Sequence, residues 1–222
     1  LEALRDEGGG LVLRPGAFGT GVFAQDEASQ ATLLRARRHD GGFTSGALLS
    51  DRDYGARGRN TVAGADVYWS PSARDQLRAR LVGSRTTAGF DGQGQATRIA
   101  EEDGHWLQLR WNRRTDHWIV NADVNDIAPR FRNDNGFVEQ AGVRRIEAEV
   151  IRRWGERSAL GIAAHEFETY LWTEQVLTRN DATAGVAGGQ YVERRWHPGV
   201  WFAGPRNSEG WLQLRLDSAR VR

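Results

Sequence analysis

The stretch that decides the fold is His105-Trp106-Leu107-Gln108-Leu109-Arg110-Trp111-Asn112-Arg113-Arg114-Thr115-Asp116-His117-Trp118-Ile119-Val120-Asn121-Ala122-Asp123-Val124. Up to Asn112 one face carries His105, Leu107, Leu109 and Trp111, and the other carries Trp106, Gln108, Arg110 and Asn112. From His117 onward, Trp118, Val120, Ala122 and Val124 share a face opposite His117, Asn121 and Asp123. A period of two is the signature of a β-strand with one apolar and one polar face, and helical spacing fits neither half. Only Arg113 to Asp116 separate the halves, so they read as neighbouring antiparallel strands.

Working outward, the same alternation recurs in Thr61 to Trp69 (Ala63, Ala65, Val67, Trp69), in Arg144 to Trp154 (Ile146, Ala148, Val150, Trp154) and in Leu212, Leu214 and Leu216. Strands are predicted at 17–25, 31–39, 43–50, 61–69, 76–84, 105–112, 117–125, 143–154, 158–172, 191–203 and 211–221. The links between them alternate in length. Short ones are Asp40 to Gly42, Ser70 to Asp75, Arg113 to Asp116, Gly155 to Arg157 and Gly204 to Glu209; long ones are Asp51 to Asn60, Arg85 to Gly104, Asp126 to Gly142 and Thr173 to Gln190. In an up-and-down meander every tight turn then falls at one end and every long loop at the other, the asymmetry of outer-membrane barrels. Arg, Glu and Asp at strand centres suit the polar lumen of such a barrel as well as the wet face of a soluble sheet. The expected fold is an all-β, antiparallel up-and-down transmembrane β-barrel, about eleven strands of it, with short periplasmic turns and long extracellular loops.

Tryptophan placement points the same way. Trp69, Trp111, Trp118, Trp154, Trp201 and Trp211 all lie close to a short turn, as a girdle at the membrane interface requires, where an indole keeps its ring in lipid and its N–H in a wet layer. Composition sets the outer bounds. The 222 residues include 30 basic and 29 acidic side chains, with no Cys, and every basic residue is Arg, which reads as genome composition bias. Without Cys there are no disulfides, thiolate nucleophiles or thiolate metal sites. The net charge of +1 gives no bulk attraction to nucleic acid. No run of 18 apolar residues occurs, so no helix crosses a membrane, and the mean hydropathy of −0.60 is compatible with a barrel because lipid touches only alternate residues. The chain reads as one β-barrel domain over 1–222, a piece of a longer protein whose signal peptide and other domains lie outside it.

Asp126-Ile127-Ala128-Pro129-Arg130-Phe131-Arg132-Asn133-Asp134-Asn135-Gly136-Phe137-Val138, followed by Gly142 to Arg145, resembles a segment shared by a family of large bacterial surface proteins. Gly46 to Tyr54, Asn60 to Asp66 and Gly83 to Thr86 are similar to the same family in order and approximate spacing, so the resemblance covers about residues 32–154. Those proteins join a sugar-binding-like β-sandwich, similar to family-9 carbohydrate-binding modules, to an uncharacterised C-terminal outer-membrane barrel. The resemblance implies a location and an architecture; it supplies no active residues. Against that family, the sandwich is expected to lie outside these 222 residues, as is the closing strand, since the last residues here are Arg220-Val221-Arg222 and not a terminal aromatic.

Motifs for chemistry are sparse. Asp51 with Asp53, Glu101-Glu102-Asp103, and Asp123 with Asp126 are the carboxylate groupings a glycosidase would need, but in a polar lumen each is more simply a partner for Arg. Asn133-Asp134-Asn135-Gly136 lacks the glutamate of an EF-hand loop, and the five histidines show no paired ligand spacing. No catalytic residue, cofactor or metal is therefore expected. The loop residues Asp51, Asp53, Tyr54, Asp126, Arg130, Asn133, Asp134 and Asn135 are candidates for binding a solute, since planar polar groups beside aromatic rings suit carbohydrate. The expected protein is a non-enzymatic component of the Gram-negative outer membrane that passes or binds a polar solute such as a carbohydrate, or serves as the barrel subunit of an envelope assembly. Its expected partners are outer-membrane lipid and lipopolysaccharide, carbohydrate and other envelope subunits, and not nucleic acid. The competing expectation is a soluble secreted β-sandwich that binds or hydrolyses carbohydrate.

Overall fold

The computed structural model describes residues 2–91, 93–159 and 162–220. It is all-β, and among the described residues the only helical turns are the three-residue 3-10 segments Gly55–Arg57 and Pro205–Asn207. The strands are β1 (Glu2–Asp6), β2 (Gly10–Gly16), β3 (Gly19–Gln25), β4 (Ser29–Asp40), β5 (Phe43–Asp53), β6 (Arg59–Trp69), β7 (Asp75–Phe90), β8 (Ala96–Arg114), β9 (Trp118–Ile127), β10 (Val143–Ala159), β11 (Ile162–Thr178), β12 (Tyr191–Ala203), β13 (Glu209–Gln213) and β14 (Leu216–Ala219).

Strands β4 to β12 pair in chain order, each antiparallel to the next, as the expected meander requires. β1 extends the sheet beyond β4, while β13 and β14 lie end to end along β12. Among the described residues the sheet has 12 strands, with β1 at one end of its path and β13 at the other, and these strands form no closed barrel. The break at Leu214 and Arg215, inside the strand expected over 211–221, lies opposite Pro198. Proline has no N–H to give a ladder, so regular pairing lapses there.

Register fixes what shares a face, because directly opposed residues point the same way. Phe43, Trp69, Leu77 and Trp111 form one cross-strand row, and Ala47, Ala65, Leu81 and Leu107 form a second. This outer face is open: Leu81 is 59% and Leu109 48% exposed. The opposite, inner face is covered at one end by the separate β2–β3 hairpin and by the 128–142 link. Val12 of the hairpin packs with Tyr54, Ala88, Phe90 and Ala96, and Ala17 and Phe18 at its tip pack against Val143, Val176 and Val192. Phe131 and Val138 of the link pack on Val62, Val82 and Trp106.

Several expected boundaries need correction. The segment 17–25 is not part of the meander; it forms the tip and return strand of the covering hairpin, and β1 and β2 precede it. Arg85 to Gly104 is no loop, since β7 and β8 continue to Phe90 and from Ala96. Asp51 to Asn60 contracts to the link 54–58, and Thr173 to Gln190 to the link 179–190. Gly155 to Arg157 is not a turn: β10 runs through it with register shifts, and Gly155, at φ +69°, takes the left-handed conformation that a bulge favours. The two longest links, 128–142 and 179–190, and the extended β7–β8 hairpin still share one end of the sheet.

Candidate functional site

The outer surface has a definite vertical order. At the end with the 41–42, 70–74 and 115–117 links, Trp69, Trp111, Trp118 and Trp154 are all outward and 36–48% exposed. Their polar edges are engaged: Trp111 Nε1 donates to Asp75 at 3.2 Å and Trp154 Nε1 to the Thr169 hydroxyl at 3.0 Å. The Arg152 guanidinium lies over Trp118 at 4.8 Å and Trp154 at 5.0 Å, an aromatic and cationic pairing suited to an interfacial layer. Trp201 and Trp211 do not belong to this row. They oppose each other in the register of Glu168 and Gly199, the inner one, because Trp201 lies five steps, an odd number, along the strand from the outward Trp196.

Above the apolar band the outer face turns ionic. Asp51, Thr61, Arg85 and Asp103 form a cross-strand row in which the Thr61 hydroxyl donates to Asp51 at 2.5 Å and Arg85 meets Asp103 at 3.2 Å. Asp126, 6% exposed, is gripped by Arg144 at 2.6 Å and by Arg179, which also donates to His105 Nε2 at 3.0 Å. From Trp69 to Thr61 there are eight residue steps, about 27 Å along a strand.

The inner face carries the polar half of each alternation, and its charges are divided. On β4 to β8 they are mostly cationic: Arg35, Arg37, Arg52, Arg78, Arg80 and Arg110 against Asp66 and Glu102. On β9 to β11 they are mostly anionic: Asp123, Glu147, Glu149, Glu168 and Glu174 against Arg145 and Arg153. Local pairs tie some of them, with Arg35 to Asp66 at 2.5 Å, Arg110 to Asp123 at 2.6 Å and Arg153 to Glu168 at 2.9 Å. A cavity of about 260 Å³ opens where the halves meet, lined by Arg110, Asn112, Asn121, Asp123, Glu147 and Glu149.

The loop residues proposed for binding separate into groups. Asp134, Asn135 and Tyr54 come together with three residues that the reading did not single out, Arg52, Asn60 and Arg132. The Asp134 side chain is 1% exposed; it accepts from the Tyr54 hydroxyl at 2.9 Å and from both Nε and Nη2 of Arg132. Its own N–H donates to Asn60 Oδ1 at 2.9 Å, and its carbonyl accepts from Arg52 at 3.1 Å. Asn135 donates to Ser50 Oγ and to the Asp51 carbonyl, each at 3.0 Å. These groups therefore latch the 128–142 link onto β5 and β6, and their polar atoms are engaged by the protein itself. Gly104 completes the seat, since a Cβ there would run into the Phe131 backbone.

The others lie elsewhere. Asp51 and Asp53 face outward, the latter paired with Arg59 at 2.7 Å. Asp126 is on the outer face and Asp123 on the inner, so these two carboxylates cannot work on one substrate. Arg130 donates to the Thr183 hydroxyl at 2.7 Å at the rim of a cavity of about 610 Å³ at the loop end, and the Asn133 side-chain oxygen is buried without a hydrogen bond. The latch was hard to see in the sequence because Asn60 and Arg52 look like ordinary polar-face residues; their one signal is that they sit at inner positions beside the loop end. Compared with known proteins, the chain matches no family model, no curated protein and no solved structure.

Proposed function

We propose that this chain is the membrane-spanning part of a Gram-negative outer-membrane β-barrel that acts without catalysis in passing or binding a polar solute, carbohydrate being the class its loops suit. The single observation that carries the reading is the outer face: a broad apolar band, bounded below by Phe43, Trp69 and Trp111 and above by the row Asp51, Thr61, Arg85 and Asp103, on a sheet whose other face is charged. A soluble sheet buries its apolar face, because leaving it in water forfeits about 25 cal/mol per Å². Here Leu34, Leu49, Leu81, Leu109, Ile146 and Val150 are 38–59% exposed, which suits contact with lipid.

The test is solvent dependence. The purified protein is expected to be monodisperse only in detergent or lipid, and its tryptophan emission to be quenched most by lipids brominated close to the headgroup. A protein that stays monodisperse in detergent-free buffer would refute the reading and favour the soluble sandwich.

A further inference from the structure

A cavity of about 610 Å³ lies at the loop end between the β2–β3 hairpin, the extended β7–β8 hairpin and the two long links. Its volume is in the range of small-molecule sites. Arg14 of β2 lines it. The guanidinium lies over Phe23 at 4.9 Å and over Phe90 at 5.6 Å, so two rings hold its plane. Its Nε and Nη2 are shut off from solvent and have no hydrogen-bond acceptor. These two nitrogens are the side-on edge with which arginine grips a carboxylate or phosphate through parallel N–H···O bonds. Leaving them unmet in a dry site is unfavourable, because a buried donor without an acceptor forfeits the hydrogen bonds it had with water.

The other cations of the cavity are differently placed. Arg132 is committed to Asp134 and to the Ala88 carbonyl, and Arg130 to Thr183. Of the acids, Asp181 accepts the backbone N–H groups of Thr183 and Ala184, which leaves Glu102 as the one nearby carboxylate without a hydrogen bond or ion pair among the described residues. Burial first, and the positive charge of Arg132 second, pull the Arg14 pKa below its ordinary value, while Glu102 and Asp134 pull it back up. An arginine remains charged at neutral pH even so.

We propose that this cavity is a binding site for a small anionic solute, whose oxyanion is held side-on by Nε and Nη2 of Arg14 once the guanidinium turns that covered edge from between Phe23 and Phe90 into the cavity, with Glu102 as the competing internal acid. The shared chemistry is an oxyanion on a small polar molecule, supplied either as a carboxylate or as a phosphate. The site is at the loop end and does not depend on the sheet spanning a membrane, so its test stands apart from that of the barrel.

Isothermal titration of the whole solubilised protein with glucuronate, glucose 6-phosphate, inorganic phosphate and neutral glucose reads the site directly. At least one anion is expected to bind at least tenfold tighter than glucose. Glucuronate ahead of the phosphates assigns a carboxylate; the reverse order assigns a phosphate. Arg14→Gln is expected to lose about tenfold in anion affinity, and Arg14→Lys, which keeps the charge and lacks the fork, to fall between. Glu102→Gln is expected to tighten binding severalfold by removing the competitor. Equal affinity for glucose and every anion, or unchanged anion affinity in Arg14→Lys, would overturn the proposal. So would weaker binding in Glu102→Gln, which would make Glu102 the counter-ion of Arg14 rather than its rival.

Discussion

Tyr54 is 4% exposed, meets Phe90 edge-on at 5.3 Å, and donates its hydroxyl to a carboxylate that is itself buried. Burial, and then the charge of Asp134, push the phenol pKa above its ordinary value. The folded state thus favours the neutral phenol. Its contribution is fully present below the unfolded value of about 10 and is lost as the pH rises through the higher folded value. Tyr54→Phe is expected to cost about 1–3 kcal/mol at neutral pH, because buried Asp134 loses a donor. The same variant is expected to flatten the alkaline decline of stability. Urea unfolding from pH 8 to 11 checks both, and superimposable alkaline limbs for parent and variant would contradict the assignment. None of this was legible in the sequence, where Tyr54 is simply an aromatic residue next to a turn. The contact that gives it meaning comes from a residue 80 positions away.

At the scale of strands, the two-residue period grouped the residues that share a face correctly for β6, β8, β9 and β10. It failed where the sheet changes what lies on each side. Beyond the row Asp51, Thr61, Arg85 and Asp103 the outer face is ionic, while the inner one becomes apolar beneath the hairpin, as Ala88, Phe90 and Ala96 show. The alternation therefore reverses its sense along β7 and β8, and a reading that seeks one apolar face ends the strands at that point. The same reversal explains buried Val143, Val176 and Val192 on strands whose lower inner positions are charged. Within the band, a cation on the outer face should cost about 2–4 kcal/mol at mid-depth. Leu81→Arg is expected to lower the yield of protein folded into lipid vesicles, read as the fraction that resists heat-dependent shift on a gel. Arg80→Ala, one position along and facing inward, is expected to fold as well as the parent. Equal yields for parent and Leu81→Arg would place that face out of lipid.

Over the whole molecule, neighbouring strands supply most of the structure, and chain-order pairing made that part readable from the two-residue alternation and the breaks between its segments. The hairpin and the 128–142 link are different: they join segments far apart in the chain, by 74 residues in Asn60 with Asp134, 85 in Ser50 with Asn135 and 119 in Thr20 with Glu139, and no local pattern announces such partners. Their distance has a kinetic consequence. Contacts that close long stretches of chain carry a loop entropy that must be met before they reward it, and they form after the local pairs that bring them near. The latch should thus be absent from the rate-limiting folding step and present only in the finished state. Asn135→Ala is expected to leave the folding rate nearly unchanged and to put almost all of its loss into faster unfolding, measured by stopped-flow mixing at several urea concentrations. A proportionate slowing of folding would mean that the latch forms early. If it forms last, the link is the part of the molecule that sets how long the folded state survives, while the meander sets how quickly it is reached.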